Sequence, residues 1–310
     1  MAPYVLRRLL FAVVTFFAVT IVAYVLFHLI PIRFPPPNQP PLLVRYWHFL
    51  RDLVLHGSLG AGYFGYQPIT RNVLNAAPIT GFVVLGGALI WLTVSILLGI
   101  ATARRAGSIL DRTALTFVLL GISAPQVWFA LMLAWLVGFK LGWTPIAGYC
   151  EAINPPPGAT CGGVGDWAYH LVLPCISFSI FFLALYTRMM RANVMEELRS
   201  DYVRTARAKG ASERRIMRRH VARNVALPLV TMLGMDFGLA LGGALWTEYA
   251  FGLPGLGQTI VLSIQQENWP IVQGIVIFAS VAIIVMNLIV DLLYAILDPR
   301  VRLTGAAAAV

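Results

Sequence analysis

Charge is scarce in this chain. Only 12% of its 310 residues are Asp, Glu, Lys or Arg, and the acids number 13, whereas a soluble domain carries roughly 25% charged residues. With 59% hydrophobic residues and a mean hydropathy of +0.77, an ordinary water-soluble globule is excluded. Cysteine is limited to three residues, too few for a disulfide scaffold or a four-cysteine zinc site. No Gly-x-x-x-x-Gly-Lys-Ser/Thr run occurs, so the chain has no phosphate loop. Ser, His and Asp stand singly in the apolar segments, with no nucleophile readable beside a base. That argues against a membrane-embedded enzyme such as a protease.

What the chain has instead is long apolar runs. A membrane-crossing helix needs about 20 mostly apolar residues. Six segments qualify: Leu9–Ile30, Ile79–Ala101, Ala114–Phe139, Leu171–Met189, Val225–Trp246 and Ile271–Leu297. The expected fold is all-α, a polytopic membrane protein with six transmembrane helices in one domain, 1–310. The first run follows Arg7 and Arg8 but is too long for a cleaved signal core and lacks a small-residue cleavage site. The outside segment 31–78 opens on the prolines 35–41, which suit extended chain rather than helix. Leu42–Leu55, with Tyr46, Trp47 and Phe49, reads as an interfacial helix. Ile69, Val73 and Ala77 mark a short amphipathic helix over 67–77, leading into the second span. A further outer element, from Glu248 to Pro270, turns at Pro254, Gly255 and Gly257 before a short helix over Thr259–Gln266.

The net charge of +10 is a matter of topology rather than nucleic-acid binding. With the N-terminus inside, 18 of the 23 Lys/Arg fall on the cytoplasmic side, and only Arg33, Arg45, Arg51, Arg71 and Lys140 lie outside. This positive-inside bias puts both termini in the cytoplasm. Eleven of the cytoplasmic basic residues lie between Arg188 and Arg223, within the loop 188–224. There Ser200 is the expected N-cap of a helix from Asp201 to Lys209, Gly210 the left-handed stop, and Ser212 the cap of a second helix from Glu213 to about Ala222. Tyr202, Val203 and Ala206 form its apolar face; Arg204, Arg207 and Lys209 form the polar one. A short helix of this kind can lie in a groove of another protein.

The segment from Tyr202 to Pro228 resembles the coupling loop of ABC-importer permeases, in the dipeptide/oligopeptide branch. Gly210, Ala206 and Leu227-Pro228 match the general pattern Glu-Ala-Ala, three residues, Gly, then Leu-Pro at the next span. Arg204-Thr205 replaces Glu-Ala. The N-terminal Tyr4–Leu10, Leu141–Pro145, Phe251–Gly257 and the stretch from Asn287 to Arg300 resemble the first of the two permease subunits in this branch. Two departures touch the outer face: Pro31-Ile-Arg-Phe34 in place of Pro-Gly-Asp-Pro, and Asn268 in place of an acid. The resemblance implies a transmembrane subunit for import of di- or oligopeptides by alternating access. Relatives in this branch also serve nickel, glutathione and heme. It further implies a second permease, two ATPase subunits carrying ATP and Mg, and an extracytoplasmic binding protein; no cofactor is expected on this chain. Coupling to the ATPase falls to Asp201, Tyr202, Val203, Arg204, Thr205, Ala206, Arg207, Ala208, Lys209, Gly210, Ala211 and Ser212.

Two carboxylates are read inside spans, Asp236 and Asp291. Asp291 lies near a cytoplasmic end and reads as structural. Asp236 lies deeper, beside the glycine row Gly234, Gly238 and Gly242, which permits close helix packing. With Met235 and Leu239 it is the candidate path lining. An ion-coupled secondary transporter using Asp236 is the alternative, weakened by the absence of an internal repeat. Cys150 and Cys161 share an outside, turn-rich loop and are expected to form a disulfide, the other possibility being two free thiols. Cys175 reads as a packing residue. His28, His170 and His220 lack partners at metal spacing, and His48 and His56 share at most a helix face. No metal is expected.

Overall fold

The computed structural model describes residues 2–30, 40–62, 68–153 and 161–297, with side chains for all of these except 2–5 and 293–297. Pro31–Phe34, the prolines 35–37, the centre of the Cys150–Cys161 loop and Asp298–Arg302 lie outside the described residues. The described chain is helical, apart from one isolated bridge between Ala61 and Pro68. The helices are α1 Ala2–Leu29, α2 Leu42–His56, α3 Ile69–Arg104, α4 Ile109–Ser123 and α5 Gln126–Lys140. They continue as α6 Val164–Leu198, α7 Asp201–Ala208, α8 Glu213–Phe251, α9 Leu256–Gln265 and α10 Trp269–Leu297. Among the described residues five are long and apolar enough to cross a bilayer, and the bent pair α4–α5 meets the same length and composition only when its two halves are taken together.

That pair occupies the segment expected as the third span, Ala114–Phe139. The helix breaks at Ala124-Pro125 and turns by 107°. Proline lacks an N–H and drives the preceding residue out of the α region; Ala124 sits at φ −94° and ψ 142°. Gln126 follows at once and donates from Nε2 to the Phe178 carbonyl of α6, 3.4 Å away. Elsewhere proline is carried through. Pro78 lies inside α3, so the amphipathic helix and second span expected as separate pieces are one helix from Ile69. Its Ile69 and Val73 are buried, with Ala76 rather than Ala77 completing the stripe. Pro174 and Pro228 lie inside α6 and α8. The second cytoplasmic helix is likewise continuous with the fifth span, through a π-helical turn at Met217–Val221.

The core sits between α3 and α6. Trp91 stacks on Phe182 at 4.6 Å and meets Phe178 and Tyr186 at tilted angles. Glycine lets the helices approach this closely. A Cβ at Gly87 would lie 2.5 Å from the Phe178 ring, and one at Gly99 2.5 Å from Met190. Gly121 of α4 packs on Ala184 of α6 in the same manner. Leu85, Leu89 and Leu97 point outward from α3, as a lipid-facing helix side requires. Near the outer end, α2 rests on α1 through contacts of Tyr46 and Phe49 with Tyr24. Trp47 on its other side is exposed. At the opposite end of α1, Arg8 pairs with Asp291 of α10 at 3.0 Å.

A second ion pair, not anticipated from sequence, ties α4 to α6. Asp111, 2% exposed, accepts from Arg191 Nε at 2.6 Å and Nη2 at 2.8 Å, and from the Gly107 N–H at 2.9 Å. Each of its charge-assisted bonds is worth about 1.5–3 kcal/mol. Asp111→Ala is therefore expected to destabilise the detergent-solubilised chain by about that amount. Adding Arg191→Leu should recover part of the loss, because the orphaned guanidinium is then gone. A double variant no more stable in thermal unfolding than the single one would show that the pair does not tie the helices.

Candidate functional site

Beyond the membrane portion of α6 the chain turns through Arg199-Ser200 into α7, then through Lys209–Ser212 into α8. Ser200 and Ser212 occupy the cap positions with extended backbones, but neither side chain caps. Ser200 Oγ instead donates to the Glu197 carbonyl at 2.6 Å. Thr205 Oγ1 donates to the Asp201 carbonyl at 2.9 Å. Gly210 adopts φ +76°, and the chain closes α7 with Gly210 N–H to Arg207 O and Ala211 N–H to Ala206 O. A left-handed residue after a short helix is where glycine is needed.

Val203 is the anchor. It is fully buried with Val194 of α6 and Ile216, Val221 and Val225 of α8, and Ala206 and Ala211 pack at the edge of that cluster. Tyr202 is not part of the buried face. Its hydroxyl donates to the Glu197 carboxylate, and Asn224 Nδ2 donates to the Tyr202 oxygen at 3.0 Å. Burial, then the Glu197 carboxylate, hold its phenol above the ordinary value of 10.0. Arg207 grips Glu213 with two bonds, at 2.7 and 3.2 Å, clamping α7 to the start of α8. Arg204 reaches Asp201 at 3.6 Å on the surface. Arg204, Thr205, Ala208 and Lys209 are left facing outward. The hairpin is thus a fixed, cationic, small-residue surface without reactive groups, suited to docking rather than chemistry.

At the opposite end α8 stops at Gly252, φ +64°, and turns into α9. Glu248 is fully buried there. Its Oε2 accepts the Gly257 N–H at 2.7 Å and its backbone carbonyl the Leu253 N–H at 2.9 Å. A Cβ on Gly255 would stand 2.3 Å from the Glu248 carboxylate, and one on Gly257 2.3 Å from Leu245 Cα. Thr80 Oγ1 of α3 accepts the Leu256 N–H at 2.9 Å, and the Phe251 carbonyl accepts the Gly148 N–H at 2.8 Å. Sequence reasoning placed Glu248 only in an outer loop. The signal for its role was the acid standing just before the run Gly252–Gly257. Asn268, at the position of the expected acid, is buried beside Gly62.

The three path candidates do not converge. Asp236 is buried and faces Tyr186 of α6, whereas Met235 and Leu239 are 68% and 63% exposed on another side of α8. Neighbours in a helix point about 100° apart, so this division follows from the spacing. Gly234 and Gly238 pack against Val290 and Ile283 of α10, while Gly242 meets nothing within 4 Å. Cys150 and Cys161 are joined, with Cα atoms 5.8 Å apart, and Cys175 is free and buried.

Comparison with known proteins adds the following. The family model described as "Binding-protein-dependent transport system inner membrane component" matches residues 95–303. The chain is 33% identical to the dipeptide transport system permease protein DppB of Escherichia coli K12, across 97% of this chain and 99% of that one. It is 32% identical to the di/tripeptide transport system permease protein DppB of Pseudomonas aeruginosa UCBPP-PA14, with the same coverage. A chain of the inward-facing MetNI methionine ABC transporter shares the fold, with a TM-score of 0.53 at 18% identity over 74% of this chain and 96% of that one.

The Glu248 arrangement yields a direct expectation. Glu248→Ala leaves the buried Gly257 N–H without an acceptor and should cost about 1–3 kcal/mol in thermal unfolding. Glu248→Gln, which keeps an oxygen in place, should cost less. Equal losses from both would mean that the carboxylate oxygen does not hold the turn.

Proposed function

The chain belongs to the family of binding-protein-dependent transport system inner membrane components, and from that premise we propose how it works as a transmembrane subunit of an ATP-driven peptide importer. It is a multi-pass inner-membrane permease. Its relatives are permeases for dipeptides and di/tripeptides, which supports di- and oligopeptides as the cargo. With no phosphate loop of its own, it draws on two ABC ATPase subunits that hold ATP and Mg, and this chain binds no cofactor. A second, homologous permease completes the pathway, an extracytoplasmic binding protein delivers the peptide, and both termini lie in the cytoplasm.

The observation that carries the coupling mechanism is the α7 hairpin. Its outward face, Arg204, Thr205, Ala208 and Lys209, fits a groove on an ATPase. Its inward face, Val203, belongs to the same apolar cluster as α6 and α8. A push on α7 is therefore delivered to two spans at once, as rigid-body rocking rather than local bending. The exposed side of α8 that carries Met235 and Leu239 would face the second permease along the translocation path. Asp236, turned toward Tyr186, would tune that wall from behind. The same placement, together with the permease relatives, leaves little support for a secondary transporter driven through Asp236.

The test is ATPase and peptide-uptake activity of the reconstituted complex. Gly210→Asp forces a side chain into a left-handed conformation at roughly 1–2 kcal/mol of local strain, and Ala206→Glu pushes a charge into the edge of the Val203 cluster that seats α7 on α6 and α8. Both should leave membrane insertion intact and remove most peptide-stimulated ATP hydrolysis. Normal coupling in either variant would overturn the role given to α7. Uptake driven by an ion gradient without ATP would overturn the importer itself.

A further inference from the structure

His170 stands on the second turn of α6, facing the extracytoplasmic cysteine pair. Its Nδ1 is 2.8 Å from the Asp166 carbonyl oxygen. That oxygen can only accept, so Nδ1 carries the proton and Nε2 presents its lone pair. Nε2 lies 3.6 Å from Cys150 Sγ. The two sulfurs and one imidazole nitrogen all fall within 4.8 Å of one another. A ring N–H held by a backbone carbonyl while the other nitrogen faces soft donors is the usual support of a metal-binding histidine.

The loop ends are also held without the sulfur–sulfur bond. On one side the Gly148 N–H donates to the Phe251 carbonyl at 2.8 Å. On the other, the Gly162 N–H donates to Asp166 Oδ2 at 3.1 Å and the Gly163 N–H to the Glu151 carbonyl at 3.2 Å. Cys150 is 2% exposed, so its sulfur is sheltered from bulk solvent. Opening the disulfide would thus leave the three donors together.

We propose that Cys150, Cys161 and His170 form, when the disulfide is reduced, a site for a thiophilic divalent cation of the zinc class. A dithiol reductant supplies two electrons and two protons, becoming a disulfide as Cys150 and Cys161 become thiols. The cation then displaces both thiol protons to solvent and takes two thiolates and His170 Nε2, with water completing a tetrahedron. Bonds of about 2.3 Å to each sulfur set the sulfurs about 3.8 Å apart, a small outward shift from the disulfide. The loop that joins the outer turn at Phe251 is then closed by a covalent bond or by a metal, and only the reduced, metal-free form lacks a closure. This site does not depend on what the protein transports.

The experiment uses the full chain with its partner subunits in mild detergent, reduced with a phosphine, freed of reductant without air, and titrated with Co(II). Expected are one Co(II) per chain, a thiolate-to-cobalt charge-transfer band with tetrahedral visible absorption, and loss of both on adding Zn(II). The unreduced protein, the same polypeptide, should show neither. A Cys150→Ser/Cys161→Ser variant supplies the baseline that includes Cys175, and His170→Ala should bind at least about tenfold more weakly. A reduced protein that gives no band above that baseline would overturn the proposal. So would undiminished binding by His170→Ala, or loss of the native elution profile on reduction, since the loop ends are required to hold by themselves.

Discussion

Everything in this molecule hangs on the close approach of α3 to α6. In a bilayer, apolar helices gain little by leaving lipid for one another, so association rests on fit. Gly87 and Gly99 provide that fit, each letting an α6 side chain enter where a Cβ would stand. Trp91 then fills the seam against Phe178, Phe182 and Tyr186. With α6 held, α4 closes over it at Gly121, and α5 turns back across it after the bend, hooked by Gln126. The α7 hairpin continues from that same α6, and although α7 has only 8 residues its Val203 is buried against both α6 and α8.

The few acids at or near the spans meet different surroundings, and the differences follow from depth and from what the backbone can offer. Asp111 and Asp291 have arginines, Arg191 and Arg8, whose long stems let the charged heads stay partly exposed. Glu248, walled in at the outer end, has no cation beside it among the described residues. It takes a backbone N–H from a turn opened by glycine, where an oxygen occupies the space a Cβ would fill. Asp236 has Tyr186. A charge without such an arrangement would be costly in this setting.

Local signals were legible in the sequence, and distant pairings were not. α2 and α7 were readable from periodicity and from Gly210, because a helix stripe and a left-handed stop are written in neighbouring residues. Even so, Ser200 and Ser212 turned out to mark the turns without capping them, since Ser200 found a nearer acceptor in the Glu197 carbonyl. The bend at Pro125 was hidden because Pro78, Pro174 and Pro228 carry the same local restriction and stay helical. What differs is the room between α6 and α8 that receives Gln126, a tertiary fact. Asp111 and Arg191 are 80 residues apart, and His170 meets Cys150 from 20 residues away. No spacing rule announces either pairing.

α8 joins the two ends of the molecule. At 39 residues and 1.5 Å per residue it is a rod of about 58 Å, longer than the bilayer is thick. Its inner end is clamped to α7 by the Arg207–Glu213 pair, and its outer end is knotted into the turn around Glu248. Between them Pro228 leaves the helix continuous, and the departure from α-helical geometry is the π turn at Met217–Val221, next to the clamp. The Val203 cluster and the Arg207–Glu213 pair join α7 to both α6 and α8, so the turn at Met217–Val221 is bridged from outside the helix. A rod held at both ends tilts as a unit against its neighbours. The close contacts of Gly234 and Gly238 with α10 are where that tilt must be accommodated.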